Sequence, residues 1–324
     1  MSDELLKLEH LNIDYKVKGG SLSAVHDVNL SIRHGEIFAV VGESGCGKTT
    51  VAHSIMNLLG GNNAKIEGKI LFEGKDLRSC SKKEMEQIRG KEIGMIFQNP
   101  LDSLNPVYTA GKQVKEAIVL DQVEPKEAWE KVIHLFQDVK MPDARERVNS
   151  YPHELSGGMR QRVMIAMMLS RNPKLLIADE PTTALDVTIE AQILEILREL
   201  KEKRNTSIML ITHNFGLVAE AADRIAVMYA GEIIETGDVY EIFEHPMHPY
   251  TRLLMQALPR KTKKEGRLKT IEGSVPRILE KKSECRFANR CPYAKDRCYR
   301  ETPEEKIVSE THRYRCFLAG DQEV

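Results

Sequence analysis

Residues 36–55, EIFAVVGESGCGKTTVAHSI, decide the fold of this chain because they place a glycine-rich turn between a short strand and a helix. The run EIFAVV at 36–41 is β-branched and aromatic, whereas the segment after the turn has helical spacing. The turn GESGCGKTT at 42–50 satisfies the pattern G-x-x-x-x-G-K-[ST] in the strand-to-helix context that the pattern requires. The sequence therefore predicts a phosphate-binding loop.

The residue types of this loop indicate how it binds a nucleotide. Its glycines let backbone N–H groups wrap a phosphate, and the following helix adds its positive N-terminal end. We expect Lys48 to reach the β- and γ-phosphates and the Thr49 hydroxyl to ligate Mg²⁺. The predicted nucleotide-binding residues of the loop are Gly42, Glu43, Ser44, Gly45, Cys46, Gly47, Lys48, Thr49 and Thr50.

Composition sets the outer limits of the interpretation. A chain of 324 residues with 41% apolar residues is long enough for one large domain and a smaller module. The net charge of -1 argues against a general nucleic-acid-binding protein. The start, MSDELLKLEH, has neither a basic nor an apolar leader region, and no apolar run is long enough to span a bilayer. We therefore expect a cytosolic chain.

Further short apolar runs alternate with helical patterns along the chain. They lie at 93–97 (IGMIF), 174–178 (KLLIA), 207–211 (SIMLI) and 225–229 (IAVMY). This alternation predicts an α/β fold with a parallel sheet. Between about 100 and 162 the pattern is helical, which indicates an inserted helical subdomain. A change to proline-rich and then highly charged sequence predicts a boundary near 255, with a main domain at 1–255 and an extension at 256–324.

The segment KLLIADEP at 174–181 ends an apolar strand in two adjacent carboxylates. Neighbouring strand residues point in different directions, so the two acids can have different roles. We expect Asp179 to hold Mg²⁺ through its water shell, and Glu180 to orient or deprotonate the attacking water. Two surface acids without a function are the alternative, which is less favourable because the chain also contains a phosphate loop.

The segment LSGGMRQR at 155–162 lies between the phosphate loop and the acidic strand, and with it the chain resembles the ATP-binding subunits of ABC transporters. The residue pattern by itself predicts a helix that begins with Ser156 as N-cap. The resemblance implies that Ser156, Gly157 and Gly158 face the γ-phosphate bound by a second subunit. It also implies a RecA-like parallel core with an antiparallel β part and the inserted helical subdomain. Met159 stands where the family most often has Gln.

Other family positions can be assigned from the same resemblance. Tyr15 matches the aromatic residue that stacks on adenine, and Gln98 matches the residue that senses Mg²⁺ and the γ-phosphate. Asp186 matches the position at the dimer seam, and His213 matches the histidine that contacts the γ-phosphate. Asn214 follows it where the family often has Asp. The catalytic residues implied are Lys48, Gln98, Glu180 and His213, and the Mg²⁺ ligands are Thr49, Gln98 and Asp179.

Four longer segments are similar to the peptide-importer branch of this family. They are QNPLDSLNP at 98–106, YPHELSGGMRQR at 151–162, AEAADRIAVMYAG at 219–231 and EHPMHPYTRLLMQALP at 244–259. The resemblance implies an ATPase that powers import of dipeptides or oligopeptides, peripheral on the cytoplasmic face of the cell membrane. Implied partners are a distinct F-type ATPase subunit, two transmembrane permease subunits and, indirectly, a peptide-binding protein. A nickel importer, or a soluble ABC ATPase acting on nucleic acid or in iron–sulfur assembly, is the alternative.

Four cysteines near the end of the sequence have the spacing C-x5-C-x6-C-x17-C, at Cys285, Cys291, Cys298 and Cys316. A reducing cytosol disfavours disulfides, which leaves metal ligation or redox chemistry. The spacing lacks a tight zinc knuckle but does not itself choose between zinc and iron. The resemblance implies a [4Fe–4S] cluster in a cysteine-rich metal-binding extension, with zinc as the second choice and free thiols as the plain alternative.

Overall fold

The computed structural model of the chain describes residues 3–60, 63–98, 103–120, 123–183, 185–257, 271–279 and 283–318. The chain divides into two compact units. The first unit comprises residues 1–32, 38–79 and 212–324, and the second comprises residues 33–37 and 80–211.

Strands and helices alternate along most of the chain. The strands are β1 (Glu4–Val17), β2 (Gly20–Arg33), β3 (Ile37–Val41), β4 (Ala64–Phe72), β5 (Lys75–Asp76), β6 (Ile93–Ile96), β7 (Leu175–Asp179), β8 (Ser207–Thr212), β9 (Arg224–Tyr229), β10 (Glu232–Asp238), β11 (Glu305–Ile307) and β12 (Arg313–Arg315). The α-helices are α1 (Lys48–Ile55), α2 (Lys82–Ile88), α3 (Ala110–Val119), α4 (Pro125–Asp138), α5 (Ala144–Arg147), α6 (Gly157–Leu169), α7 (Val187–Arg204), α8 (Phe215–Ala221), α9 (Val239–Glu244) and α10 (Pro249–Ala257).

The first unit contains an antiparallel sheet and a second group of strands around the phosphate loop. The antiparallel sheet has the order β2-β1-β4-β5. The second group has the order β11-β12-β10-β9-β3, in which β3 and β9 are parallel and β10 is antiparallel to both β9 and β12. The predicted antiparallel part and the predicted strands at 36–41 and 225–229 are thereby confirmed.

The core of the first unit joins strands, helices and the cysteine-rich end of the chain. Phe287 is buried against Tyr229 and Tyr250, with ring centroids 5.1 and 5.3 Å away. Burying an aromatic side chain of this size stabilises the fold by about 2–3 kcal/mol. The segment around Phe287 is therefore attached to the sheet through a shared core.

The second unit contains the parallel strands β8, β7 and β6 in that order. All three are buried along their whole length, which explains why they appear as unbroken apolar runs in the sequence. The strands predicted at 93–97, 174–178 and 207–211 are confirmed. Among the described residues between β6 and β7, the regular elements are helical, as predicted.

Two predicted limits fall beside residues that the structure does not describe. The predicted start of the helical subdomain at about 100 lies outside the described residues, and the predicted boundary at 255 lies near the end of α10, next to undescribed residues 258–270. The limits 1–255 and 256–324 stay predictions. Within the described ranges, no helix has the length and apolar character needed to cross a membrane.

Candidate functional site

The phosphate loop connects β3 to α1, as the sequence predicts. Gly47 is the N-cap of α1 and has φ of +110°, in the region that favours glycine. A Cβ atom at this position would lie 2.6 Å from the carbonyl oxygen of Ala24, so a side chain does not fit. The first turn of α1 contains no acidic residue, and no side chain caps it. The N–H groups of this helix start are therefore oriented as a phosphate site requires.

Lys48 lies inside the loop. Its side chain is buried, and its Nζ atom donates to the carbonyl oxygens of Gly42 and Glu43 at 2.8 and 3.0 Å. Ser44 and Gly45 are exposed on the outer side of the same loop. The loop thus places a positive charge beneath an accessible backbone, which is the arrangement that binding the β- and γ-phosphates needs.

Cys46 faces away from the exposed side of the loop. Its side chain is 1% exposed, and burial raises the pKa of its thiol. Its carbonyl oxygen accepts a hydrogen bond from the Gly231 N–H at 2.8 Å, which ties the loop to the turn between β9 and β10. Only the backbone of Cys46 is positioned to take part in binding.

The two predicted acids lie at the end of β7 in different environments. Asp179 is 1% exposed, whereas Glu180 is half-buried. Glu180 has φ of +46°, a conformation that costs roughly 1–2 kcal/mol in a residue with a Cβ atom. Its N–H donates to the carbonyl oxygen of Ile211 at 2.9 Å, which helps to hold this backbone. The strained turn directs one carboxylate inward and the other outward.

Gln98 and Glu180, both predicted from sequence, are in direct contact. The Gln98 Nε2 atom donates to Oε2 of Glu180 at 2.8 Å, and the Thr183 hydroxyl donates to the same oxygen at 2.9 Å. Two donors on one oxygen fix the orientation of a carboxylate without burying it. This arrangement suits a group that orients a water molecule.

The predicted signature segment begins α6. Ser156 is its N-cap, and the Ser156 Oγ atom accepts from the Met159 N–H at 3.3 Å, which confirms the predicted cap. Gly158 packs so closely on α7 that a Cβ atom would lie 2.7 Å from Cγ2 of Ile189. Asp186 is the N-cap of α7 and accepts from the Ile189 N–H at 2.9 Å. Ser156 and Asp186 are both exposed.

The other predicted residues of the nucleotide site belong to the first unit. Tyr15 is half-buried in β1 opposite Ala64, and His213 is exposed just after β8. Asn214 is the N-cap of α8, with its side chain accepting from the Gly216 N–H at 3.1 Å. Asparagine therefore has a capping role at the position where the family often has Asp.

The predicted Mg²⁺ ligands are a hydroxyl, an amide and a carboxylate, on Thr49, Gln98 and Asp179. Oxygen donors of these kinds are the ones that Mg²⁺ prefers. Thr49 belongs to the first unit, and Gln98 and Asp179 belong to the second. Throughout the described residues, no group of three or more His, Cys, Asp or Glu side chains is arranged to hold a metal ion.

The same finding covers the four cysteines, for which a metal-binding role stays a prediction. They belong to the cysteine segment, residues 283–318, in which Cys298 and Cys316 are buried and the other two are half-buried. Burial raises the pKa of Cys285 to about 12, with further contributions from Cys298, Cys316 and Cys291. Burial likewise raises the pKa of Cys291 to about 11. The four thiols are thus electrostatic neighbours, but the structure and the comparisons do not support a metal-binding extension.

Sequence reasoning missed the residues that attach the cysteine segment to the first unit. Arg290 forms a two-pronged ion pair with Glu43 of the phosphate loop, at 3.0 and 3.1 Å. Arg286 bonds the carbonyl oxygen of Ala230 and pairs with Glu232 at 2.8 Å. Both arginines lie between Cys285 and Cys291, and arginine side chains are usually exposed to solvent. A charge count gives no signal that these two are buried.

A buried carboxylate was missed as well. Glu235 in β10 is 1% exposed and accepts from the N–H groups of Met247 and His248 at 2.6 and 2.9 Å. Its Oε1 atom also contacts Nε2 of His312 at 2.9 Å. This cluster joins β10, the turn before α10 and the cysteine segment.

Comparison with known proteins gives two family matches. Residues 25–183 match a family described as "ABC transporter", and residues 234–298 match one described as "Oligopeptide/dipeptide transporter, C-terminal region". The second match includes Cys285, Cys291 and Cys298. The two matches follow each other along the chain in the order that the motifs predict.

Similar curated proteins cover nearly the whole chain. The dipeptide transport ATP-binding protein DppD of Bacillus subtilis is 46% identical over 98% of this chain and 95% of its own length. The oligopeptide transport ATP-binding protein OppD of Bacillus subtilis is 49% identical over 97% of this chain and 88% of its own. DppD of Escherichia coli is 45% identical over 98% of this chain and 97% of its own length.

Solved structures show the same fold at lower identity. A dimeric ATP-binding cassette, MJ0796, bound to ADP and Pi, has a TM-score of 0.65 and 27% identity, covering 72% of this chain and 98% of its own. The protein cbiO1 of Clostridium perfringens, part of an ABC transporter complex, has a TM-score of 0.66 and 29% identity. The match covers 75% of this chain and 92% of cbiO1.

Proposed function

Because the chain belongs to the family of peptide ABC transporter ATP-binding proteins, we propose that it hydrolyses ATP to power the import of dipeptides or oligopeptides. One observation carries the proposal: a phosphate loop and a Gln98–Glu180 pair occur on one chain with the C-terminal region of peptide transporters. The loop supplies phosphate binding, and the pair supplies a carboxylate for the attacking water.

Hydrolysis follows from where these residues place charge and hydrogen-bond donors. The loop N–H groups and Lys48 bind the phosphates and stabilise negative charge that grows on the γ-phosphoryl group. Glu180, oriented by Gln98 and Thr183, positions a water and accepts its proton. Thr49, Gln98 and Asp179 would hold Mg²⁺, with Asp179 acting through the water shell of the ion, and the ion would supply positive charge beside the phosphates.

The exposed helix starts support a dimeric working state. Ser156 and Asp186 cap helices at the surface, and Val187 beside Asp186 is 81% exposed. An exposed helix start with Gly157 and Gly158 next to its cap offers N–H groups to a phosphate held by another subunit. The similar cassette MJ0796 is dimeric with ADP and Pi bound. We assign the partner as a distinct F-type ATPase, with Tyr15 stacking on adenine and His213 contacting the γ-phosphate.

An apolar groove on the second unit supports the proposed permease partners. It lies between α3 and α4, has a volume of about 540 Å³, and includes Leu120, which is 68% exposed. Its lining combines apolar side chains such as Val119, Leu120 and Trp129 with the charged side chains of Lys112, Lys115 and Glu116, a mixture that would suit a protein contact. Two transmembrane permease subunits would bind the chain here, which places it at the cytoplasmic face of the membrane. A peptide-binding protein would act through them.

The cysteine segment is proposed to hold a [4Fe–4S] cluster. In such a cluster each thiolate binds a different iron, so the four sulfurs need not converge on one ion. The four thiols influence one another's charge, and the resemblance to the peptide-importer branch favours this cluster over zinc. Iron, sulfide and zinc analysis of anaerobically purified protein tests the choice. About four equivalents each of iron and sulfide in wild type, lost in Cys291→Ser, support the cluster. Zinc in place of iron, or neither metal in wild type, contradicts it.

The test of the function compares partners. The full chain, co-expressed with its neighbouring membrane subunits, should co-purify with them and hydrolyse ATP faster when peptide-loaded binding protein is added. Stimulation by nickel-loaded binding protein alone would assign a nickel importer. ATPase activity that nucleic acid stimulates, without membrane subunits in the complex, would contradict the proposal.

A further inference from the structure

We infer that Arg290 is a positioning residue for the phosphate loop: through Glu43, it holds the loop in the conformation that binds the phosphates of ATP. The inference rests on the proposed ATPase function. It gives the cysteine segment a direct role in nucleotide binding, although that segment lies at the opposite end of the sequence.

The backbone N–H, the backbone carbonyl oxygen and the carboxylate of Glu43 each form hydrogen bonds. Its N–H donates to the Tyr250 hydroxyl at 3.1 Å, and its carbonyl oxygen accepts from Lys48 Nζ at 3.0 Å. Its carboxylate receives both guanidinium nitrogens of Arg290, at 3.0 Å to Oε1 and 3.1 Å to Oε2. Glu43 therefore connects the lysine that reaches the phosphates to two residues from the C-terminal part of the chain.

Arg290 is itself held firmly, so it can transmit position. Its side chain is 7% exposed, and its Nε atom donates to the carbonyl oxygen of Glu272 at 2.8 Å. The guanidinium also lies over the ring of Tyr229, 5.7 Å from the centroid. A planar guanidinium fixed on several sides forms a bidentate pair with little further loss of side-chain freedom, whereas lysine cannot form the same fork.

A second connection reaches the same loop from the same segment. Arg286 bonds Ala230 in the turn between β9 and β10 and pairs with Glu232, the first residue of β10. Gly231 in this turn donates to the carbonyl oxygen of Cys46. The loop is thus supported at Glu43 and at Cys46 by two arginines that are four residues apart. A loop supported in this way is preorganised, and ATP need not spend binding free energy on ordering it.

The experiment is a double-mutant cycle in the full-length chain. Arg290→Ala, Glu43→Gln and the double variant are compared with wild type for the Kd of MgATP and for kcat and KM of hydrolysis. Arg313→Ala is the matched control, because Arg313 pairs with Glu305 in the same segment through exposed side chains. Arg290→Lys tests whether the fork, and not only the charge, is needed. Thermal unfolding checks that each variant is folded.

We expect Arg290→Ala to raise Kd and KM for MgATP about tenfold, with kcat changed less than about threefold, because binding geometry and not chemistry is lost. Glu43→Gln should weaken binding similarly, and the double variant should bind no more weakly than Arg290→Ala. Arg290→Lys should lie between wild type and Arg290→Ala, and Arg313→Ala should bind as wild type does.

Two results would overturn the inference: Arg290→Ala that binds MgATP as wild type does, or effects of the two substitutions that add fully in the double variant. If Arg290→Ala does not fold, the double-mutant cycle is made with Arg290→Lys and Glu43→Gln. Effects on the Kd of MgATP that add fully in that double variant would likewise overturn the inference. Wild type that neither binds nor hydrolyses MgATP would instead contradict the proposed function, and the inference would fall with it.

Discussion

Glu180 and Glu235 are two carboxylates beside strands that the fold treats in opposite ways. Glu180 is half-buried, has a strained backbone, and accepts on Oε2 from two side chains, those of Gln98 and Thr183. Glu235 is 1% exposed, lies in β10 where the pairing with β9 shifts register, and accepts from two backbone N–H groups and from His312.

The difference separates a carboxylate that performs chemistry from one that holds the fold. Backbone donors in a buried site cannot move away, so Glu235 gains stability and loses access to water. Side-chain donors at a half-buried site orient Glu180 but leave it accessible. Substitution at Glu180 should therefore change the rate, and substitution at Glu235 should change the free energy of unfolding.

The largest effect is expected for Glu180→Gln. This variant keeps the size of the side chain and loses the base, so phosphate release should fall at least about a hundredfold. ATP binding and the urea midpoint should stay close to those of wild type. Single-turnover hydrolysis and nucleotide titration measure both quantities, and normal turnover would show that another group acts on the water.

Glu235→Ala should have the largest effect on stability. It leaves two backbone N–H groups and one imidazole without their buried acceptor, which should destabilise the first unit by about 2–3 kcal/mol. Urea unfolding of the full chain measures the shift. Glu305→Ala, which removes an exposed carboxylate of the same sheet, is the control and should change stability by less than about 0.5 kcal/mol. Equal shifts for the two variants would contradict the structural role of Glu235.

Acidification should destabilise the Glu235 cluster through His248. Burial lowers the pKa of His248 to about 4; Glu235 opposes this shift and Arg252 adds to it. The ring is neutral in the fold, with Nδ1 accepting from the Tyr250 N–H at 3.0 Å. An unfolded histidine titrates near 6.5, so between these values the unfolded chain binds a proton that the folded chain does not, and stability falls as the pH falls.

The expected loss from this one histidine is on the order of 2–3 kcal/mol between pH 6.5 and pH 4, and none above pH 7. His248→Asn keeps an acceptor for the Tyr250 N–H but does not titrate in this range. The difference in unfolding free energy between wild type and His248→Asn should therefore shrink as the pH falls. A difference that stays constant from pH 7 to pH 4 would show that the pKa of His248 is the same in the folded and the unfolded chain.

The smallest effect is expected for Thr183→Ala at Glu180. It removes one hydroxyl donor while the Gln98 donor stays, so kcat should fall by only about two- to tenfold. Steady-state hydrolysis measures this change, with Thr183→Ser as the matched control that keeps the hydroxyl. A loss as large as that of Glu180→Gln would mean that Thr183, and not Gln98, orients the carboxylate.

Features that depend on residues close together in the sequence could be predicted from the sequence alone. The glycines of the phosphate loop, the buried strands, the Ser156 cap and the acids after β7 all follow from short patterns with a local physical cause. Even the contact between Gln98 and Glu180 is implied indirectly, because both residues follow neighbouring parallel strands.

The rest depends on contacts between distant parts of the chain. Arg290 and Glu43 are 247 positions apart, and nothing in either local sequence distinguishes this pair from solvated charges. The acceptor role of Glu235 likewise requires knowing that two backbone N–H groups and His312 meet it. From the sequence, Gly158 is expected at a helix start that binds phosphate. The structure gives a second reason for glycine at this position, because Ile189 packs too closely to leave room for a side chain.

The most direct test of the central claim is uptake of a labelled dipeptide into proteoliposomes that contain this chain with its ATPase partner, its permease subunits and its peptide-binding protein. We predict uptake that requires ATP on the side of the ATPase subunits and that falls at least about tenfold with Glu180→Gln. Uptake that is independent of ATP, or unchanged by Glu180→Gln, would contradict the account.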